Sequence, residues 1–347
     1  MLGVVAIHIG SQYLTNPTPN INLVALYEIV SRFSVPIFFF ISAFGLFYKI
    51  NLAEKFDYKN FLQRRFKAVL IPYLAWSIFY VVHDNFFYGS GIPSPTYALE
   101  ILFFGLAKYQ LYFMVILIWF YLLMPLWIKI IRGLTVKKFA VIFLLQIAFN
   151  HFSSFSIELN QFTNSLADDS ILKLFLMWRL NYLVLHYVFI FLLGGILAIH
   201  SEKFFVWLDE NKKIVTATFL VSLTILLGYF YYLVLVENFP PIGAVNTAHQ
   251  LSLPGFFYTV ATSIFLFMIF SSRLPLPTFL LSLLGKNSFF IYLFHPLAIA
   301  YLNLFMAKIN LVMTATNSII FYFAVVLISL AASFIYKKIS TLFVRKP

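Results

Sequence analysis

The chain has 347 residues, 62% of them hydrophobic and 20% aromatic, and only 24 Lys or Arg and 12 Asp or Glu carry formal charge. A water-soluble surface needs about 25% charged residues, so the composition excludes an ordinary soluble domain, and 44 Phe with 21 Tyr exclude a disordered chain. The lack of cysteine removes disulfides, thiolate nucleophiles and Cys-ligated metals, and the net charge of +12 has meaning only through its position along the chain.

A helix needs about 20 apolar residues to cross roughly 30 Å of hydrocarbon. In chain order, apolar runs between charged or Pro- and Asn-rich breaks predict spans at 28–50, 68–83, 109–131, 138–152, 179–200, 214–236, 254–271, 287–306 and 316–336. A further helix starts at Met1 and stops near Tyr13, ahead of the Asn-Pro-Thr-Pro-Asn turn at 16–20. Its length reaches only about 20 Å, so it is a truncated span, and the expectation is a true start upstream or a shortened copy. Residues 97–107 read as a short helix at the membrane interface. The fold expected is an all-α polytopic membrane protein with about ten transmembrane helices, forming a single domain over 1–347.

Placing the basic residues in alternate connections puts 19 on one side and five, Arg32, Lys108, Lys173, Arg179 and Lys308, on the other. Lys and Arg in short loops set orientation, which predicts both termini in the cytoplasm. The basic balance therefore reflects topology. No basic stripe lies on one element, so no nucleic-acid partner is expected.

Ionisable side chains at membrane depth are costly and point to function. His8 lies in the first helix, His186 in the fifth of the nine full spans, and His295 just before Pro296. Neutral imidazole has one donor and one acceptor nitrogen and suits a general base; for each ring, a hydrogen-bonded packing role stands beside that reading. No close group of metal ligands appears. Arg32 follows Glu28 by one helical turn, a spacing that permits an ion pair, and reads either as an anchor or as a substrate contact. Arg64, Arg65 and Lys67 form the densest basic cluster, either as an inner-face anchor or as a phosphate grip.

Several motifs resemble the bacterial membrane acyltransferase-3 family. L-G-V-V-A-I-H-I-G at 2–10 is similar to the end of that family's first helix, with His8 at the family's His and the Arg eleven positions earlier falling before Met1. S-R-F-S-V-P-I-F-F-F-I-S-A-F at 31–44 resembles its Val-Pro-x-Phe-Phe-x-x-Ser-Gly segment, with Ala43 in place of Gly. R-F-K-A-V-L-I-P-Y at 65–73 resembles an Arg-x-x-Arg-plus-Pro motif in which Ala68 stands at the second Arg. Y-Q-L-Y-F-M at 109–114 resembles a Leu-Trp-Phe motif with Tyr112 for Trp, and L-G-K-N-S-F-F-I-Y-L-F-H-P at 284–296 resembles the late Ser-Tyr-x-x-Tyr-Leu-x-His-Pro segment. Its R-F-S-V-P and Q-L-Y-F stretches look most like the exopolysaccharide-modifying branch, that of intercellular adhesion protein C.

The resemblance implies transfer of an acyl group, commonly acetyl, from cytoplasmic acyl-CoA to a hydroxyl of a cell-envelope polysaccharide or lipid-linked sugar, in a multi-pass protein of the bacterial plasma membrane. It implies no permanently bound cofactor, with acetyl-CoA as donor substrate, and membrane lipid and a polysaccharide synthase complex as partners. His8 and His295 would handle the proton, Arg64, Arg65 and Lys67 the CoA phosphates, and Arg32, Tyr112, His186 and Ser288 the substrates. An exporter or flippase of the same polymer is the alternative, and a scaffold in the synthase complex is a third.

Overall fold

The computed structural model describes residues 1–272 and 277–344. Of the basic residues counted above, Arg273, Arg345 and Lys346 lie outside the described residues. Helices joined by turns and short irregular stretches make up the described residues, with no strand among them. Its first helix is α1 (Leu2–Tyr13). Then come α2 (Ile21–Phe47), α3 (Tyr58–Tyr88), the short α4 (Pro95–Phe104), α5 (Tyr112–Leu122), α6 (Met124–Arg132) and α7 (Val136–Phe155). The second half of the chain contains α8 (Val188–Ile199), α9 (Ser201–Glu210), α10 (Lys212–Leu235), α11 (Leu253–Ser271), α12 (Thr278–Lys308) and α13 (Ala315–Val344).

Seven of these helices are long and apolar enough to cross a membrane, and counting the bent pairs α5/α6 and α8/α9 as one span each makes nine among the described residues. With α1 the total of about ten matches the hydropathy pattern. The α4 helix covers residues 97–104 of the segment read as interfacial and ends at Gly105.

Breaks in the spans follow from proline and from side chains that serve the backbone left over. Pro36 has no N–H and its ring crowds the carbonyl one turn earlier, so the turn before it, Arg32–Ser34, tightens to 3-10 geometry. Tyr258 donates to the Val30 carbonyl at 2.8 Å, satisfying part of that break. Pro72 likewise follows a π-helical turn at Phe66–Leu70. Pro125 at the start of α6 accompanies the 60° bend between α5 and α6, and Trp127 donates its Nε1–H to the Phe120 carbonyl at 3.1 Å.

Residues 179–200, expected as one continuous span, form a helical turn at Arg179–Tyr182, a 3-10 turn at Val184–His186 and then α8, with α9 leaving at 96°. The reason lies on α7. Gln146 donates to the Leu185 carbonyl at 2.6 Å and accepts from the Phe189 N–H at 3.0 Å, so one amide satisfies both sides of the break.

Contacts divide the chain into two compact units. The first comprises Met1–Ser34, Asn211–Gln250 and Phe257–Pro347. In it, Val5, Ala6 and Ile9 of α1 pack on Ala298 and Ile299 of α12 and on Phe321 and Val325 of α13. The second comprises Val35–Glu210 and Leu251–Phe256. Its core is aromatic: Phe120 stacks on Phe191 with centroids 4.2 Å apart, and Phe39 contacts Phe113, Phe120 and Tyr187. Gly194 of α8 meets α2 so closely that an added Cβ would lie 2.3 Å from the Phe40 carbonyl oxygen, the approach that small residues permit between apolar helices.

Candidate active site

The first unit brings together four of the polar groups that the sequence marks out, His8, Glu28, Arg32 and His295. His8 of α1 stacks on His295 of α12, with ring centroids 5.3 Å apart and planes 22° from parallel. His295 is fully buried, whereas His8 is half-buried. Pro296, inside α12, helps to orient the pair. A proline removes the N–H that would bond one turn back, and in the same turn the His295 Nδ1 lies 3.1 Å from the Ile291 carbonyl. A carbonyl only accepts, so Nδ1 is the protonated nitrogen of the neutral ring and Nε2 is its acceptor.

Beside this pair stands the ion pair expected from sequence spacing. Arg32 Nη2 lies 2.9 Å from Glu28 Oε2, with both side chains almost entirely out of solvent. Glu28 sits in a π-helical turn, Ala25–Ile29, a local widening often found at functional sites. Its other oxygen accepts from Ser11 Oγ at 2.9 Å. Arg32 reaches the Val245 carbonyl at 3.4 Å through Nη2, while its buried Nε has no hydrogen-bond partner. The Arg32 charge lies within electrostatic reach of His8.

Glycine makes this arrangement possible. At Gly10 a Cβ would fall 2.8 Å from Glu28 Oε1, so the bare backbone lets α1 close on the carboxylate. Asn303 donates to Gln12 Oε1 at 3.2 Å and ties α12 to the same helix. Ser11 and Gln12 escaped the sequence reading, yet their spacing of three and four from His8 puts them on one helix face, a signal that was available.

The remaining expected site residues lie elsewhere. Ser288 is seven residues before His295 on α12, about 10 Å along a helix, and its hydroxyl donates to the Gly285 carbonyl at 2.8 Å. Tyr112, His186, Arg64, Arg65 and Lys67 belong to the second unit. Tyr112 begins α5, and Gly105, at φ 72°, lets the chain pass its backbone. His186 lies in a network, with Nε2 3.2 Å from Ser153 Oγ and Nδ1 3.3 Å from Asn150 Oδ1. Arg179 completes it by donating to the Ser153 carbonyl and to Asn160 Oδ1, both at 2.6 Å.

The basic cluster divides. Arg64 and Lys67 are exposed, while Arg65 turns inward between the rings of Phe61 and Tyr121, 5.6 and 5.7 Å from their centroids. Its Nε is buried without a partner.

Two histidines in contact and a buried Arg–Glu pair bring imidazole nitrogens, a carboxylate and a fixed cation together in the first unit. The family model described as an acyltransferase domain matches residues 1–338. The chain belongs to the acyltransferase-3 family. Nothing among curated proteins or solved structures matches it. This membrane acyltransferase thus carries the family's domain over nearly its whole length, and the motif resemblances at His8 and His295 fall on the two rings that meet.

Proposed function

We propose that this acyltransferase moves an acyl group, acetyl in the first instance, from cytoplasmic acyl-CoA to a hydroxyl of a cell-surface glycan or lipid-linked sugar in the bacterial plasma membrane. The observation that carries the reading is the stacked His8–His295 pair next to Glu28 and Arg32. His8, the less buried of the two rings, takes the proton of the acceptor hydroxyl. The oxygen attacks the thioester carbonyl, the C–S bond breaks, and the imidazolium returns its proton to the leaving thiolate, giving an O-acyl ester and free CoA. Arg32, with an uncommitted N–H in a buried site, offers charge to the oxyanion of the tetrahedral intermediate. His295, held by its backbone hydrogen bond, fixes the plane of His8.

Arg64 and Lys67 are the exposed cations of the cluster assigned to the donor's phosphates. The excess of basic residues on one set of connections supports cytoplasmic termini.

Transfer of radiolabelled acetyl from acetyl-CoA to envelope glycan, in membranes with wild-type or His8→Ala protein at equal abundance, tests the reading. Loss of label in the variant is expected. Full labelling by the variant sinks it, and passage of glycan across vesicles without acyl-CoA would install the exporter reading instead.

A further inference from the structure

The second unit contains a cavity of about 690 Å³ that the acyl-transfer reading does not use. It opens where three connections meet: the segment after α2 at Leu52 and Ala53, the α6–α7 turn at Leu134 and Thr135, and the α8–α9 corner at His200. Hydropathy alternation assigns all three to the same membrane face, the one rich in Lys and Arg. The size falls in the range of ligand pockets, roughly 300–1,000 Å³.

Its chemistry is two-sided. Ile131, Phe139, Ile196 and Ile199 form apolar walls, and none of the lining residues is acidic. At the rim is the exposed Arg132, which commits one N–H to the Glu54 carbonyl at 3.1 Å and, with five donors in its fork, retains others. Lys138 stands beside it, its Nζ 2.9 Å from the Gly133 carbonyl. The Glu54 carboxylate, which is not among the lining residues, accepts from Asn51 Nδ2 at 2.8 Å.

We propose that this cavity binds one anionic phospholipid, with an acyl chain between α6, α7 and α8 and the phosphodiester on Arg132 and Lys138. Basic pockets at the ends of transmembrane helices select anionic headgroups, and a fork of guanidinium donors matches phosphate oxygens. The single guanidinium with one neighbouring ammonium fits one phosphodiester better than the several phosphates and nucleobase of a CoA thioester. The lipid would brace the 48–57 segment against α6. This site is independent of the histidine pair.

Native mass spectrometry of the full-length protein, released from detergent doped with phosphatidylglycerol or with phosphatidylcholine of the same chains, reads the site directly. One tightly retained phosphatidylglycerol per protein is expected, with phosphatidylcholine at least tenfold weaker. Arg132→Glu should weaken retention about tenfold by reversing the rim charge, and Ala53→Trp should do so by filling the mouth. Ala53 is exposed on a connecting segment, so that variant tests the cavity even if Arg132→Glu fails to fold. Equal retention of the two lipids overturns the proposal, as does unchanged retention in a folded Ala53→Trp protein. Displacement of the lipid by palmitoyl-CoA at equal or lower concentration, with the same sensitivity to both variants, would make this the donor's site and also overturn it.

Discussion

His295 and His186 are both buried histidines, one inside the continuous α12 and one in a broken stretch of helix, one in each unit, and their surroundings differ in kind. Side chains of Ser153 and Asn150 engage both nitrogens of His186, Gln146 extends that network to the backbone of the break, and Arg179 holds the Ser153 carbonyl. His295 bonds backbone through Nδ1 and presents its ring to a second, half-open histidine. Burial of an ionisable side chain in a membrane protein therefore marks a function or a joint. What separates them is the neighbour each ring meets, side chains that tie segments together at His186 and a second imidazole at His295.

The largest effect should follow from breaking the histidine pair. General-base assistance is worth about 10²–10⁴ in rate, so His8→Ala should reduce acyl transfer by that factor while the melting temperature stays near wild type. A variant with full activity would show that the stacked pair is packing and erase the distinction from His186. Next in size is Glu28→Gln, which leaves Arg32 buried without its counter-charge; breaking a buried pair from one side costs about 3–5 kcal/mol. Thermal unfolding should register the loss, and Glu28→Gln combined with Arg32→Gln should recover part of it. Unchanged melting in the single variant would mean that the pair is hydrated.

Helix number and most boundaries were legible because lipid imposes a single requirement, a run of apolar residues about 20 long. The Glu28–Arg32 pair was legible for a similar reason, since i,i+4 spacing is local. The break at 183–187 was not. Its composition is as apolar as a continuous span, and its cause is Gln146, more than thirty residues earlier, whose amide replaces the missing helical hydrogen bonds. The division of the basic cluster was hidden too: Arg64, Arg65 and Lys67 are neighbours in sequence, but helical rotation exposes two and turns the third onto aromatic rings. Contact between His8 and His295 required α1 and α12 to pack, which no local pattern reports.

His186→Ala sharpens the contrast from the other side. Removing the ring leaves Ser153 and Asn150 with unmet hydrogen-bonding capacity in a buried site, a cost of about 1–3 kcal/mol. Lower melting temperature with acyl transfer per folded molecule close to wild type is the expected outcome. A hundredfold activity loss at unchanged stability would move His186 into the reaction centre.

The smallest expected effects separate the members of the basic cluster. Exposed ion pairs contribute about 0.2–1 kcal/mol, so neutralising Arg64 and Lys67 together should raise the KM for acyl-CoA several-fold at most, leaving kcat and melting temperature unchanged. Arg65→Gln instead forfeits a cation–π contact worth about 0.5–1 kcal/mol at Phe61 and Tyr121, which should appear in the melting temperature with little change in KM. High salt should erase the first effect, since exposed charges are screened over about 10 Å at 0.1 M, and should spare the second, which is partly desolvated. Steady-state kinetics at two ionic strengths decides the matter: if Arg65→Gln alone raises KM in a salt-dependent manner, the inward-turned guanidinium is the phosphate contact and the exposed pair is only an anchor.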